Sequence, residues 1–219
     1  MKCWWGLVEL TFALSAHAAE PRVLIERWDL ELVAKEPEIV TPVGVAFDQA
    51  GRLLVVESHT HQRTADYEGP SGDRIRLLAD SDADGTLDAW STFAEGYRHA
   101  LNVVARPDGA VNVITRGEVH LLRDTDADGV ADVDQIIVRL ETKEDYPHNA
   151  LGGIAFSENR LYLGLGENFG VAYNLVGADG SSFADRGGAG RIFRFELEGE
   201  QIEPYATGFW NALGLGFDK

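Results

Sequence analysis

Two loops of nearly the same sequence carry the densest chemistry in this chain. They read Asp80-Ser81-Asp82-Ala83-Asp84-Gly85-Thr86-Leu87-Asp88 and Asp124-Thr125-Asp126-Ala127-Asp128-Gly129-Val130-Ala131-Asp132. Carboxylates crowded this closely repel one another unless a hard cation sits among them. Side chains at positions 1, 3 and 5, a glycine at 6 for the turn and a backbone carbonyl at 7 match the start of a Ca²⁺-binding loop. The spacing therefore gives Asp80, Asp82, Asp84, the Thr86 carbonyl and Asp88 as ligands in the first loop. In the second they are Asp124, Asp126, Asp128, the Val130 carbonyl and Asp132. The aspartate at position 9 of each loop can bind directly or through water. Position 12 is Ser91 or Gln135, where a helix-loop-helix site needs a bidentate glutamate, so neither loop reads as an EF-hand. Both follow short apolar runs, 75–78 and 119–122, and so belong at strand connections. The plainer alternative is a solvated acidic turn. Recurrence of the pattern favours calcium, in a structural rather than a catalytic role.

The elements that must position these loops form a repeat. Gly44-Val-Ala-Phe47 leads through a polar turn to Leu53-Leu-Val55; Leu101 to Ala105 leads to Ala110-Val-Asn-Val113; Gly153-Ile-Ala-Phe156 leads to Leu161-Tyr-Leu163. Each copy reads as a hairpin with an inward apolar face. Gly214-Leu-Gly-Phe217-Asp218 reads as the opening of a fourth. Further strands are expected over 74–78, 118–122 and 191–196. A spacing of roughly 50 to 60 residues fits one four-stranded propeller blade per repeat. The expected fold is all-β: a β-propeller of the six-bladed type, with about three blades and the start of a fourth. A propeller closes on itself, so the sequence is expected to be a truncated product or a fragment. A β-sandwich is the alternative.

Composition narrows the function. The chain has 219 residues and a net charge of −17, which argues against nucleic acid or an anionic membrane as partner. Lys2, the mostly apolar stretch 3–14 and Ala16-His17-Ala18 read as a signal peptide over 1–18, with a propeller domain over 19–219. Export to the periplasm or the extracellular space follows, without membrane insertion of the mature chain. The single cysteine, Cys3, would leave with the signal, removing disulfides, thiolate metal sites, a cysteine nucleophile and covalent haem from the segment. Glu57, His59 and His61 would share one face of a strand and could hold a transition metal. In a loop leaving an inner strand they would instead line a polar channel, which Arg98 and His99 could also reach. Gly187 to Gly190 fits neither a P-loop nor a dinucleotide pattern and reads as a loop.

The stretch Tyr146-Pro147-His148-Asn149-Ala-Leu-Gly152-Gly153, with Leu161 to Glu167, Ala189 to Arg194 and Thr207-Gly-Phe-Trp210-Asn211-Ala-Leu-Gly214, resembles the soluble quinoprotein glucose/sorbosone dehydrogenases. With the Glu57-Ser-His59-Thr-His61 segment and the two aspartate loops, the mature chain is also similar to the N-terminal propeller of planctomycete and verrucomicrobial membrane-bound dehydrogenase domain proteins. The resemblance implies His148 as general base, taking a hydroxyl proton while hydride leaves for a quinone. It implies Asn211 as a ligand of pyrroloquinoline quinone, with Trp210 beside it. Two departures stand out. Pro147 occupies the place of the acidic residue that would orient the histidine, and Trp210 the place of an arginine that would pair with the quinone's charge. The expected function is a calcium-binding dehydrogenase of a sugar or polyol with an external electron acceptor. The alternatives are a noncatalytic carbohydrate- or protein-binding propeller and a calcium-dependent lactonase-type propeller, for which Glu57 and Asn211 could supply metal ligands.

Overall fold

Short runs of β-branched and aromatic residues between Gly- and Asp-rich turns become strands because such side chains suit a half-buried pleated surface. The computed structural model describes residues 29–143 and 150–218, with Leu24 and Arg27. The chain divides into two units, Met1–Val33 and Ala34–Lys219. The described residues of the first unit are in neither helix nor strand. The expected signal peptide lies outside the described residues, as do 144–149 with His148.

In the second unit, β1 (Pro42–Phe47), β2 (Leu53–Glu57), β3 (Asp73–Ala79) and β4 (Ala89–Tyr97) form one antiparallel sheet in sequence order. Strands β5 (Ala100–Ala105), β6 (Val111–Thr115), β7 (Glu118–Arg123) and β8 (Val133–Thr142) repeat that order in a second. The third contains β9 (Leu151–Ser157), β10 (Arg160–Leu165), β13 (Gly190–Phe195) and β14 (Glu203–Phe209). Among the described residues the fold is all-β, without helices, in three antiparallel sheets that do not close on one another. No helix of these residues is long and apolar enough to cross a membrane.

The three expected hairpins are β1-β2, β5-β6 and β9-β10. Two features depart from the sequence reading. The hairpin of β11 (Tyr173–Gly177) and β12 (Ser182–Asp185) leaves the third sheet and pairs with β8, so the second sheet has six strands. Its short strands lie inside a stretch that contains Asn, Asp and Gly and has no hairpin repeat. Residues 214–218, expected to open a fourth hairpin, carry no strand. The chain just before them is engaged with the third sheet, where Gly153 N–H donates to the Ala212 carbonyl at 2.8 Å.

Two apolar layers hold the sheets together. Leu54, Val56, Ile75 and Phe93 of the first sheet meet Val103, Val113 and Leu122 of the second. Ile114, Leu121 and Ile137 of the second meet Leu161, Leu163, Phe193 and Phe195 of the third. Buried Arg106 ties the turns of the second and third sheets, donating to the Leu197 carbonyl at 2.9 Å and pairing with Asp108 at 2.6 Å. The innermost strands approach where glycine removes the side chain. A Cβ on Gly44 would sit 2.9 Å from Asn102 Cα, and one on Gly164 would sit 2.3 Å from the Ala212 carbonyl oxygen.

Gly164→Ala is expected to destabilise the fold by about 1–3 kcal/mol, because backbone must move to admit the methyl. Gly214→Ala, which meets nothing within 4 Å, is expected to stay within about 0.5 kcal/mol. Urea denaturation of the two variants checks the contrast.

Candidate functional site

Antiparallel order places successive turns at alternate ends of a sheet. The aspartate loops, between β3 and β4 and between β7 and β8, therefore lie at the opposite ends of their sheets from the connectors 57–73, 97–100 and 115–118.

In the first loop, carboxylate oxygens of Asp80, Asp82 and Asp84 come within 4.8 Å of one another, and in the second so do those of Asp124, Asp126 and Asp128. The loops wind around these groups alike. Gly85 N–H donates to Asp80 Oδ2 at 2.7 Å, and Gly129 N–H to Asp124 Oδ2 at 2.9 Å. The seventh residues, Thr86 and Val130, donate their N–H groups to Asp84 and Asp128. Gly85 and Gly129 have φ of 93° and 88°, a left-handed turn that glycine adopts freely. Asp88 and Asp132 stand outside both carboxylate groups. Each closes the base of its loop, accepting from the N–H and hydroxyl of Ser81 or Thr125, and these bonds hold both carboxyls below the ordinary aspartate value. The second loop also reaches the first sheet: Ala131 N–H donates to the Phe93 carbonyl at 2.8 Å.

The connector end is organised by a buried carboxylate. Asp73 Oδ1 accepts from the N–H groups of His59 and Thr60 at 2.5 and 2.7 Å; Oδ2 accepts from the Thr60 hydroxyl at 2.9 Å and Ala100 N–H at 2.7 Å. Thr60 Oγ1 in turn accepts from His99 N–H at 2.7 Å. His99 is thereby held at a φ of 55°, uncommon for a residue with a side chain. Burial, then the Arg98 and Arg116 guanidiniums, lower its imidazole pKa, while Asp73 opposes them.

Glu57, His59 and His61 do not act as a unit. Glu57 is fully buried; it accepts from Val40 N–H at 2.8 Å and from Arg74 at 2.6 Å, and His59 Nε2 lies 3.3 Å from it. His59 Nδ1 is paired with the Tyr67 hydroxyl, whereas His61 is exposed, edge-on to His99. Glu57 and His59 are thus buried in the fold, with His59 Nε2 left without a hydrogen-bond partner, while His61 stands apart from them. Burial raises the Glu57 carboxyl, but the Val40, Arg74 and His59 contacts outweigh it and hold its pKa below the ordinary glutamate value.

Trp210 and Asn211 follow β14. The Trp210 indole is 65% exposed and edge-on to Phe169 at 6.1 Å. Consecutive N–H groups link this place to the start of β9: Gly166 donates to the Ala150 carbonyl and Glu167 to the Trp210 carbonyl. The Oδ1 atoms of Asn211 and Asn168 are buried without a hydrogen-bond partner. The exposed indole offers a stacking face to a flat group such as a quinone, and the orphaned Asn211 Oδ1 is an acceptor for a hydroxyl or N–H.

Sequence reasoning missed Asp73, Asn168, Phe169 and Arg116. Asp73 precedes an apolar run and carries no motif; only the partners that folding brings to it reveal its role. Arg116-Gly117 is legible as a turn between two strands, and alternation of turns would have placed it beside Arg98 and His99.

A family model described as Domain of unknown function (DUF7133) matches residues 16–219. No curated protein matches the chain. Solved structures to which it is similar include the holo form of the pyranose dehydrogenase PQQ domain from Coprinopsis cinerea, at 15% identity and a TM-score of 0.48, over 70% of this chain and 38% of that one. Another is an iodide structure of Trichoderma reesei Carbohydrate-Active Enzymes Family AA12, at 18% identity and a TM-score of 0.48, over 67% of this chain and 34% of that one. The chain spans little more than a third of the length of either.

Asp73→Ala strands two buried N–H groups, a part-buried N–H and a hydroxyl, and is expected to cost about 3 kcal/mol in urea denaturation. Glu57 adds a pH dependence. Its folded pKa is depressed, so its contribution to stability is complete above the unfolded value and is lost as pH falls through the lower folded value. Glu57→Gln is expected to flatten that acid limb in melts between pH 3 and 6, a window of about one unit or more on either side of the unfolded value.

Proposed function

The chain belongs to the DUF7133 family, and we propose that its sheets are blades of a six-bladed β-propeller that oxidises a sugar or polyol in the manner of a quinoprotein dehydrogenase. The observation that supports this reading most is the buried, unpartnered amide oxygen of Asn211 beside the exposed Trp210 indole, two N–H bonds away from Ala150. Trp210, Phe169 and Asn211 are the residues that would hold pyrroloquinoline quinone. When bound, that group supplies a two-electron acceptor. His148, in the connector that ends at Ala150, is the proposed base for the substrate hydroxyl; a neutral imidazole suits that task near pH 7.

Calcium in the two aspartate loops is part of the proposal. At the ends of the sheets away from the connectors, its role is to brace β3-β4 and β7-β8 by relieving repulsion among three carboxylates in each loop. A chain with such loops works where calcium is plentiful, and export to the periplasm or beyond follows from that reading. A second reading, a noncatalytic carbohydrate-binding propeller, is favoured by the exposed Trp210-Phe169 pair, which suits stacking on a sugar. The lactonase-type reading loses Glu57, whose oxygens are taken up by Val40 and Arg74.

Dye reduction with added quinone, calcium and a sugar panel tests the reading. Activity that falls by about 100-fold or more in His148→Ala, with an unchanged melting temperature, is the expected result. Absence of dye reduction for every sugar, alongside quenching of Trp210 fluorescence by one of them, selects the binding reading. Calcium at a free concentration 100 times its Kd is expected to add about 2.7 kcal/mol of stability per loop. Asp82→Ala and Asp126→Ala should each lose about that amount, and Asp82→Ala/Asp126→Ala should lose all of it. An undiminished calcium-dependent rise in the double variant would remove the metal from both loops.

A further inference from the structure

We infer that the cleft lined by Arg98, His99, Arg116 and Arg139 binds the carboxylate of a sugar acid, a reading that takes the sugar from the function proposed above and the acid from the cleft itself. The chain carries a net charge of −17, yet among the described residues lining this cleft three are arginines and one, Glu118, is acidic. Electrostatics of an acidic protein drive anions away in general, so a local reversal of sign has to come from placement. Arginine presents a planar fork of donors that matches a carboxylate two bonds at a time.

The placement is rigid. Arg116 N–H donates to the His99 carbonyl at 3.0 Å, the Arg116 carbonyl accepts from Leu151 N–H at 3.1 Å, and the Gly117 carbonyl accepts from Leu140 N–H at 2.8 Å. The connectors 97–100 and 115–118, strand β8 and the first residue of β9 are thereby stitched into one floor. His99 is fixed on that floor by the Thr60-Asp73 relay, at a backbone angle that the fold imposes on it. Burial and the two neighbouring guanidiniums lower its imidazole pKa, and its ring nitrogens can offer a hydroxyl an acceptor or a donor. Arg139 pairs with Glu118 at 3.1 Å, so the net positive charge of the cleft rests on Arg98 and Arg116. The volume is about 350 Å³, at the small end of ligand clefts, which suits a monosaccharide rather than a polymer. Thr142 lines the cleft and accepts from Asn168 Nδ2 at 2.9 Å, which connects the cleft to the loop that carries Phe169 and faces Trp210.

Isothermal titration of the chain with D-glucuronate and with D-glucose tests this, repeated on Arg98→Gln, Arg116→Gln and Arg98→Lys with melting temperatures measured alongside. The expected result is glucuronate at least tenfold tighter than glucose, at least tenfold weaker in either glutamine variant, and partly restored in Arg98→Lys. Arg98 is exposed, so its variants carry the test if Arg116→Gln fails to fold. Equal affinity for the two sugars, or an unchanged glucuronate affinity in Arg98→Gln, overturns the inference. Pyrroloquinoline quinone is itself a tricarboxylate and forms the second arm. Displacement of glucuronate by it assigns the cleft to the cofactor and overturns the substrate assignment; simultaneous binding upholds it. Binding is read without electron transfer. Arginine-dependent glucuronate binding without dye reduction therefore sinks the dehydrogenase reading alone, and dye reduction confined to neutral sugars sinks this one alone.

Discussion

The packing of the first and third sheets against their neighbours depends on a missing atom at three glycines. Where Gly44 faces Asn102, and where Gly153 and Gly164 face Ala212, a single methyl would stand 2.3–2.9 Å from another residue's backbone. Strands that approach this closely let the apolar faces behind them meet without a gap, and both core layers lie behind these contacts. Alternation along β1 then fixes the opposite face: Gly44 and Ala46 turn towards the second sheet, while Val43, Val45 and Phe47 stay exposed. Gly44 and Gly153, the first glycines of Gly44-x-x-Phe47 and Gly153-x-x-Phe156, are therefore packing residues, and the connectors inherit their positions from them.

Connectors so placed would still be loose without a local anchor. Buried Asp73 supplies one by gathering donors from His59, Thr60 and Ala100, which belong to two different connectors. A carboxylate surrounded by N–H and O–H groups tolerates burial because hydrogen bonds replace its hydration. Glu57 does the same with Val40 and Arg74 one turn of chain earlier. Asp73 and Glu57 thus stabilise backbone, while Arg98, Arg116 and Arg139 line the cleft.

Periodicity made the three hairpins legible, since inward apolar residues at alternate positions leave a pattern in the sequence. The aspartate loops were legible for the same local reason: liganding geometry is written in consecutive residues. The group of three carboxylates in each loop matches the spacing, but Asp88 and Asp132 do not join it, because a neighbouring hydroxyl and N–H offer each a nearer partner. The β11-β12 hairpin was illegible because its pairing with β8 spans the sheets and leaves no periodic trace in 173–185. Glu57-x-His59-x-His61 misled for a related reason. Strand alternation stops at Glu57, the last residue of β2, and the two histidines beyond it follow the loop.

Segregation of charge gives the fold a polarity that bears on how it could work. One end of the first two sheets carries the paired aspartate loops; the connector end carries Arg98, Arg116 and Arg139 around a single cleft. Calcium at the acidic end would reduce a repulsion that otherwise strains β3-β4 and β7-β8. At the same time it would remove negative potential that competes with any anion approaching the arginines. The second effect decays within about 10 Å in ordinary salt, so it is weak across the length of a strand. The two ends are coupled more strongly through packing. Ala131 of the second loop bonds Phe93 of β4, and β4 runs on to Tyr97, beside Arg98 and His99. Loosening that loop would therefore disturb the cleft through the strand that connects them, and far less through the field.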